Sequence, residues 1–306
     1  MFSVASLFLC RISFIVLIEN LQLSIYSFII LHSKSKTRIT HNLIKMTGEP
    51  PKPSCHFSIK LKKSAYSISS RRIKQKSNTT SDKYSTFTVP LKVPNCWIND
   101  PNGFIWYKGQ YHLFYQCFPY APQWGRMHWG HAVSKDLINW EKKGIALYPT
   151  KIDDRSGCFS GSAVEQDRTL YLFYTGVNYL EENPEDINQC RNDQFLAAQM
   201  MISSDDGMTF DNVKRKKTVI PPITEKQIGS KTNTRDPKVW RGKDAWYLVL
   251  GSSIDHKGRL LIYKSSDLQN WTYLSHVEKN NFGWMWECPD YFEMDRVRLM
   301  KTEIAS

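Results

Sequence analysis

The amino-acid sequence predicts an all-β fold, a β-propeller, and three observations carry that prediction. From residue 91 onward the chain consists of short aromatic and β-branched runs cut by Gly, Asp and Asn, with no helical period of note. A serine–aspartate segment recurs three times, as SKDLINW (134–140), SSDDGMTF (203–210) and SSDLQNW (265–271). Each copy follows a run that reads as the second strand of a hairpin, and then a further strand. The unit is therefore roughly 65 residues holding about four strands, which is what a propeller blade looks like in sequence. An ordinary β-sandwich with similar turns is the alternative.

Taken in order, residues 1–45 form an apolar and basic amino-terminal segment. Its apolar runs are interrupted by Arg11, Glu19, Asn20 and Gln22, so no clean stretch of about 20 apolar residues marks a spanning helix. A signal peptide, an anchor, or a working start at Met46 are the readings open there, and they leave localisation undecided between secreted and cytoplasmic. Residues 46–88, rich in Ser, Thr, Lys and Pro, read as a disordered linker. Residues 89–306 hold the blades. GFIWYKGQYHLFYQ gives two strands around Lys108 and Gly109, and TLYLFYTG (169–176) and AWYLVLGS (245–252) are the equivalent second strands. Three units end near residue 280 and a fourth starts in PDYFEMDR. The final RVRLMKTEIAS is not expected to continue the strand pattern, so a propeller truncated at its carboxyl end is the expectation.

The formal charge of +12 is unevenly placed. Residues 1–90 hold 14 of the 41 Lys/Arg and three of the 29 Asp/Glu, leaving 27 basic and 26 acidic residues beyond. A near-neutral body argues against a nucleic-acid partner, which would want positive charge in a folded groove. No stable membrane partner is expected, and the oligomeric state is left open. Seven widely scattered cysteines show no CxxC pair and no zinc-ligand spacing, so packing is the expected role for most. Two sequons, at Asn78 and Asn270, matter only if the chain is secreted.

Three carboxylates stand at blade starts: Asp100 in WINDPNG, Asp236 in TRDPKVW and Glu287 in MWECPDYF. Each is expected just before a strand, and the prolines are expected to push the preceding residue into extended geometry. One Asp-Pro alone is a turn signal, but three such sites at matching places in a repeat point to a shared pocket. Trp97, Trp124, Phe159, Trp284 and Trp286 lie near them in sequence and could stack on sugar rings or pack the core. Arg235 adjoins Asp236, and Trp286 beside Glu287 predicts a partly desolvated acid. Carboxylates in contrasting surroundings suit glycoside cleavage. A carboxylate metal site is the alternative, though no histidine is placed to assist.

These residues resemble glycoside hydrolase family 32, the invertase and β-fructofuranosidase family, especially its bacterial sucrose-hydrolase branch. WINDPNG is similar to its nucleophile motif, FSGSA (159–163) to its sugar-contact segment, RDP (235–237) to its middle motif and WECPD (286–290) to its acid/base motif. The resemblance implies a five-bladed propeller, with the last blade and a carboxy-terminal β-sandwich missing here. It also implies Asp100 as nucleophile, Glu287 as acid/base and Asp236 as transition-state stabiliser. Trp97, Asn99, Gln116, Trp124, Phe159, Ser160 and Arg235 fall at or beside sugar-binding positions. No cofactor and no metal are called for, and the implied substrate is sucrose or a related fructosyl sugar. Sucrose 6-phosphate, fructans, fructosyl transfer, and an inactive remnant or sugar-binding pseudoenzyme are the alternatives. Phe118 in YQCFPY stands where the family usually has Asn, which bears on fine specificity.

Overall fold

The structure, a computed structural model, describes residues 40–46, 60–61, 96–294 and 297–305. Its strands run, in chain order, β1 (Thr40–Met46), β2 (Lys60–Leu61), β3 (Trp97–Tyr107), β4 (Gln110–Phe118), β5 (His128–Ser134) and β6 (Trp140–Leu147). There follow β7 (Gly157–Gln166), β8 (Thr169–Tyr179), β9 (Glu182–Asn183), β10 (Asp186–Cys190), β11 (Phe195–Ser204) and β12 (Lys216–Ile220). The last are β13 (Thr234–Arg241), β14 (Trp246–Ile254), β15 (Lys257–Ser265), β16 (Thr272–Glu278), β17 (Met285–Met294) and β18 (Val297–Ala305). They form four antiparallel four-stranded sheets, ordered β3-β4-β5-β6, β7-β8-β11-β12, β13-β14-β15-β16 and β17-β18-β1-β2, with β9 and β10 as a separate hairpin. The all-β propeller architecture is therefore present, with four sheets among the described residues.

The hairpin turn chemistry is as expected. Lys108 and Gly109, between β3 and β4, both take positive φ (46° and 83°), the geometry that matches the right-handed twist of the flanking strands. The serine–aspartate repeat folds alike in the first three sheets. Ser134, Ser204 and Ser265 hydroxyls donate to Asp136, Asp206 and Asp267, and each aspartate accepts backbone amides two and three residues on. Leu137, Gly207 and Leu268 occupy the same left-handed position, with φ of 64°, 76° and 65°. The turn holds two leucines in a conformation that costs roughly 1 kcal/mol or more, which the satisfied carboxylate offsets.

Alternation along the strands explains how the sheets stack. In β8, Leu172 faces a core shared with Phe114, Trp129 and Leu147 of the first sheet, while its neighbour Phe173 faces Val239, Leu248 and Leu250 of the third. In β14, Leu248 points back and Val249 points on, to Trp286, Met300 and Ile304 of the fourth sheet. Each such side chain contributes roughly 1.5–3 kcal/mol when fully buried. The first strands pack on one another in sequence, β3 on β7, β7 on β13 and β13 on β17. Polar ties fix their relative height: Gly161 N donates to Asn102 Oδ1 (3.1 Å), Ser162 Oγ to Pro237 O (2.8 Å), and Lys238 pairs with Asp290 (2.7 Å).

Some expectations need correcting. Val297–Ala305 is a strand paired with Met285–Met294. Met300, Thr302 and Ile304 are buried and the charged residues between them, Lys301 and Glu303, only partly so; the alternation is real but these charges mask it in the sequence. Trp286 is 1% exposed and packs in the core, its Nε1 donating to Phe282 O. Thr40–Met46 pairs with Val297–Ala305, and Lys60–Leu61 pairs with Thr40–Met46. Apart from these strands, the amino-terminal segment, the linker expected over 46–88, Asn78, Cys10 and Cys55 lie outside the described residues.

Candidate active site

The carboxylates lie inside the first strands rather than before them, at a bulge that all four sheets repeat. Two residues of each first strand oppose one of the second: Asn99 and Asp100 face Gln116, Phe159 and Ser160 face Thr175, Asp236 and Pro237 face Leu250, and Cys288 and Pro289 face Thr302. Bulges bend a strand and re-aim its side chains. The three acids are not equivalent within this frame. Asp100 is the second residue of its bulge, Asp236 the first, and Glu287 immediately precedes its own. Asp236 and Cys288, each before a proline, take φ of 63° and 46° instead of the extended geometry expected. The bulge, held by packing on both sides, overrides the local preference.

Asp100 sits at the end of a hydrogen-bonded chain. Trp97 Nε1 donates to Asn99 Oδ1 (3.0 Å), Asn99 Nδ2 to Gln116 Oε1 (2.8 Å), Gln116 Nε2 to Ser160 Oγ (2.7 Å), and Ser160 Oγ to Asp100 Oδ2 (2.5 Å). Five of the residues singled out in the sequence thus meet through β3, β4 and β7. Gln116 and Ser160 are buried.

Asp236 is the most enclosed of the three acids, 7% exposed. Its Oδ2 accepts from the amide of Cys288 (2.8 Å), and its own amide donates to Thr175 Oγ1 (3.0 Å). Thr175 in turn donates to Gln199, whose Nε2 donates to Thr234 O. Burial pushes the Asp236 carboxyl up to about 7; Arg235 opposes this, the charges of Glu287 and Asp100 add to it, and the Cys288 amide opposes it. Glu287, by contrast, keeps 35% of its side chain exposed and receives Arg235 Nε on Oε1 at 3.0 Å. Trp286, which suggested a desolvated Glu287, points to the opposite face of β17, as strand alternation requires, and Asp236 is the more desolvated of the two.

A fourth carboxyl, absent from the sequence-based candidates, lies close enough to feel the charges of the other three. Glu303 on β18 lies directly across the ladder from Glu287. Burial and the charges of Asp100, Glu287 and Asp236 push it up to about 7, with Lys301 opposing. Its signal in the sequence is the alternation of the terminal strand, which Lys301 and Glu303 themselves mask. Of the aromatic candidates, Trp124 and Phe159 meet edge to face with centroids 6.1 Å apart; Trp124 is exposed and Phe159 half-buried. Trp97 is half-buried, and Trp284 is exposed. Cys117 and Cys158 are buried in the core, while Cys288 is half-buried on β17. Among the described residues, no group of three or more His, Cys, Asp or Glu side chains is arranged to hold a metal ion.

Carboxyl groups gathered at the bulges of adjoining first strands, one enclosed and one half-exposed, suit cleavage of a glycosidic bond, and the comparisons with known proteins agree. Residues 91–305 match the glycosyl hydrolases family 32 N-terminal domain. The chain is 40% identical over 208 residues to the sucrose-6-phosphate hydrolase of Escherichia coli, covering 67% of this chain and 40% of that protein. It is 40% identical over 207 residues to the raffinose invertase of Escherichia coli, covering 66% and 40%. Among solved structures, the family 32 β-fructofuranosidase of Bombyx mori matches with a TM-score of 0.58 at 40% identity, over 68% of this chain and 41% of that one. Fructan 1-exohydrolase IIa of Cichorium intybus matches with a TM-score of 0.56 at 30% identity, over 69% and 41%. The chain thus spans about 40% of the length of the curated relatives it matches. Four motifs, an all-β propeller and this coverage together place the chain in glycoside hydrolase family 32.

Proposed function

We propose that this chain carries the catalytic site of a retaining β-fructofuranosidase that splits sucrose into glucose and fructose. What supports the reading is that Asp100, hydrogen-bonded by Ser160, and Glu287, paired with Arg235, both lie close enough to Asp236 for their charges to raise its carboxyl.

In the first step an Asp100 oxygen attacks C2 of the fructofuranosyl group. The bond from C2 to the glycosidic oxygen breaks, and Glu287 gives that oxygen a proton, so glucose leaves neutral. Arg235 occupies Oε1 of Glu287, so the transfer is assigned to Oε2. The Ser160 hydroxyl, shared with Asp100, fixes the attacking carboxylate in one rotamer, which contributes through orientation. In the second step Glu287 removes a proton from water, water attacks C2, and the ester bond to Asp100 breaks with fructose released in its original configuration. Asp236, held rigidly by Cys288 and Thr175, is assigned to the ring hydroxyls, where contacts strengthen as charge develops. Retention by this route asks for the two working carboxyls to lie about 5–5.5 Å apart.

The test is an assay of reducing sugar released from sucrose, with sucrose 6-phosphate and an inulin-type fructan beside it. Wild type should cleave and Asp100→Asn should lose at least about 10⁴-fold of that activity, by analogy with loss of a covalent nucleophile. A wild-type chain that is thermally stabilised by sucrose yet cleaves none of the three would instead be a sugar-binding protein. Cleavage persisting in Asp100→Asn would remove Asp100 from the mechanism.

A further inference from the structure

Every hydrogen bond in the chain from Trp97 to Asp100 points the same way, and its two ends leave no choice in the matter. An indole Nε1–H can only donate, and a carboxylate can only accept. The two amides between them, Asn99 and Gln116, could each be turned by 180°, but a turned Asn99 would set its Nδ2 against the indole N–H, donor against donor. A turned Gln116 would present Oε1 to Ser160, which would then donate to Gln116 and no longer to Asp100. We propose that Trp97, Asn99 and Gln116 are positioning residues that act through Ser160, and that Trp97 serves as a directional lock holding the Ser160 proton on Asp100. This rests on the reading of Asp100 as nucleophile.

The lock matters at one moment of the cycle. While Asp100 is a free anion, its own charge keeps the Ser160 proton turned toward it. Once Asp100 is esterified to the sugar, that pull weakens, and an unlocked chain could reverse. The Asp100 oxygen must then depart as a carboxylate without a donor waiting for it. The half-reaction that suffers is breakage of the bond between C2 and Asp100, in which negative charge returns to Asp100. Attack by Asp100 starts from the anion and does not need the lock. Distance supports a tight coupling, since the four contacts lie between 2.5 and 3.0 Å. Burial supports it too, because Gln116 and Ser160 are shielded from water that could substitute for a lost partner.

The experiment uses Trp97→Phe, which keeps a six-membered aromatic ring but removes the Nε1–H together with the pyrrole half of the indole, and Asn99→Asp, which leaves the Trp97 ring whole. The second variant accepts from Trp97 with one oxygen and turns the other to Gln116, which forces Gln116 to donate to it and Ser160 to donate to Gln116. Both should slow sucrose turnover roughly 10-fold, the effect of about one hydrogen bond to a charged group. The lock further requires kcat and KM to fall together, with kcat/KM nearly unchanged and a fructosyl ester on Asp100 accumulating in acid-quenched mass spectra. A stacking role for Trp97 would give a different split, with KM unaltered in Trp97→Phe or raised, and no ester accumulating; that result overturns the lock. Neutron diffraction on the wild-type protein reads the deuteron positions directly and does not depend on turnover. Deuterons on Trp97 Nε1, Asn99 Nδ2, Gln116 Nε2 and Ser160 Oγ, all pointing toward Asp100, are expected. The opposite order at Gln116 or Ser160 refutes the proposal even in a protein that cleaves sucrose, whereas the expected order in a protein that cleaves nothing removes the hydrolase reading, and with it the lock's part in turnover, while the donor order itself holds.

Discussion

Buried Asp236 should make the folded protein lose stability as the solution turns from acid to neutral. Its carboxyl ordinarily titrates at 3.8 and in the folded pocket at about 7, with burial the main cause. A raised folded-state value means that the native state holds a proton the unfolded chain has already released. The stability this provides is fully present below pH 3.8 and is lost as pH rises to 7. At 1.36 kcal/mol per pH unit, the interval corresponds to roughly 4 kcal/mol. For a body of about 200 residues that is a fall in Tm on the order of 10 °C. Glu303 is displaced in the same direction, from 4.5 to about 7, so a slope of the same sign should remain after Asp236 is replaced by Asn. The comparison is therefore between wild type and Asp236→Asn, followed by calorimetry from pH 4 to pH 8. Asn still accepts from the Cys288 amide and tolerates the left-handed φ of 63° at this position better than most residues. The variant should be less pH-sensitive by about 4 kcal/mol and more stable than wild type at pH 8. Parallel curves for the two proteins would show that Asp236 is not the desolvated group.

Two further outcomes test how the site is supported. Lys216 and Asp154 form a fully buried pair at 2.6 Å, with Asp154 also accepting from Tyr174. Lys216→Met, which strands the carboxylate, should cost about 3–5 kcal/mol in urea unfolding, and a double variant that also replaces Asp154 by Asn, whose Oδ1 still accepts from the Thr150 and Lys151 amides, should recover part of it; equal losses in the two would sink this. In the FSGSA segment a Cβ on Gly161 would lie 1.9 Å from Phe173 O. Gly161→Ala should accordingly displace Ser160 and cost activity on sucrose together with Tm, and unchanged values of both would contradict the close approach.

Much of the fold was legible because its signals are local. The turn at Lys108 and Gly109 follows from two residues that accept positive φ, and the serine–aspartate turns close through bonds spanning two or three residues. Such contacts need no information from distant chain, so the sequence shows them directly. The strand over 297–305 was missed because Lys301 and Glu303 interrupt an alternation that only burial of Met300, Thr302 and Ile304 makes plain.

By itself the sequence determined the residue types of the candidate site: the motifs that carry Asp100, Asp236 and Glu287, and the aromatic and amide groups beside them. It could not determine which acid is dry. Desolvation depends on the density of neighbours contributed by other sheets, and the tertiary structure gave the enclosed place to Asp236 and the half-open one to Glu287. Nor could it foresee Glu303 opposite Glu287, or a chain of donors running through β3, β4 and β7. Those depend on register and on where a bulge falls, and a shift of one residue turns every side chain of a strand to the other face.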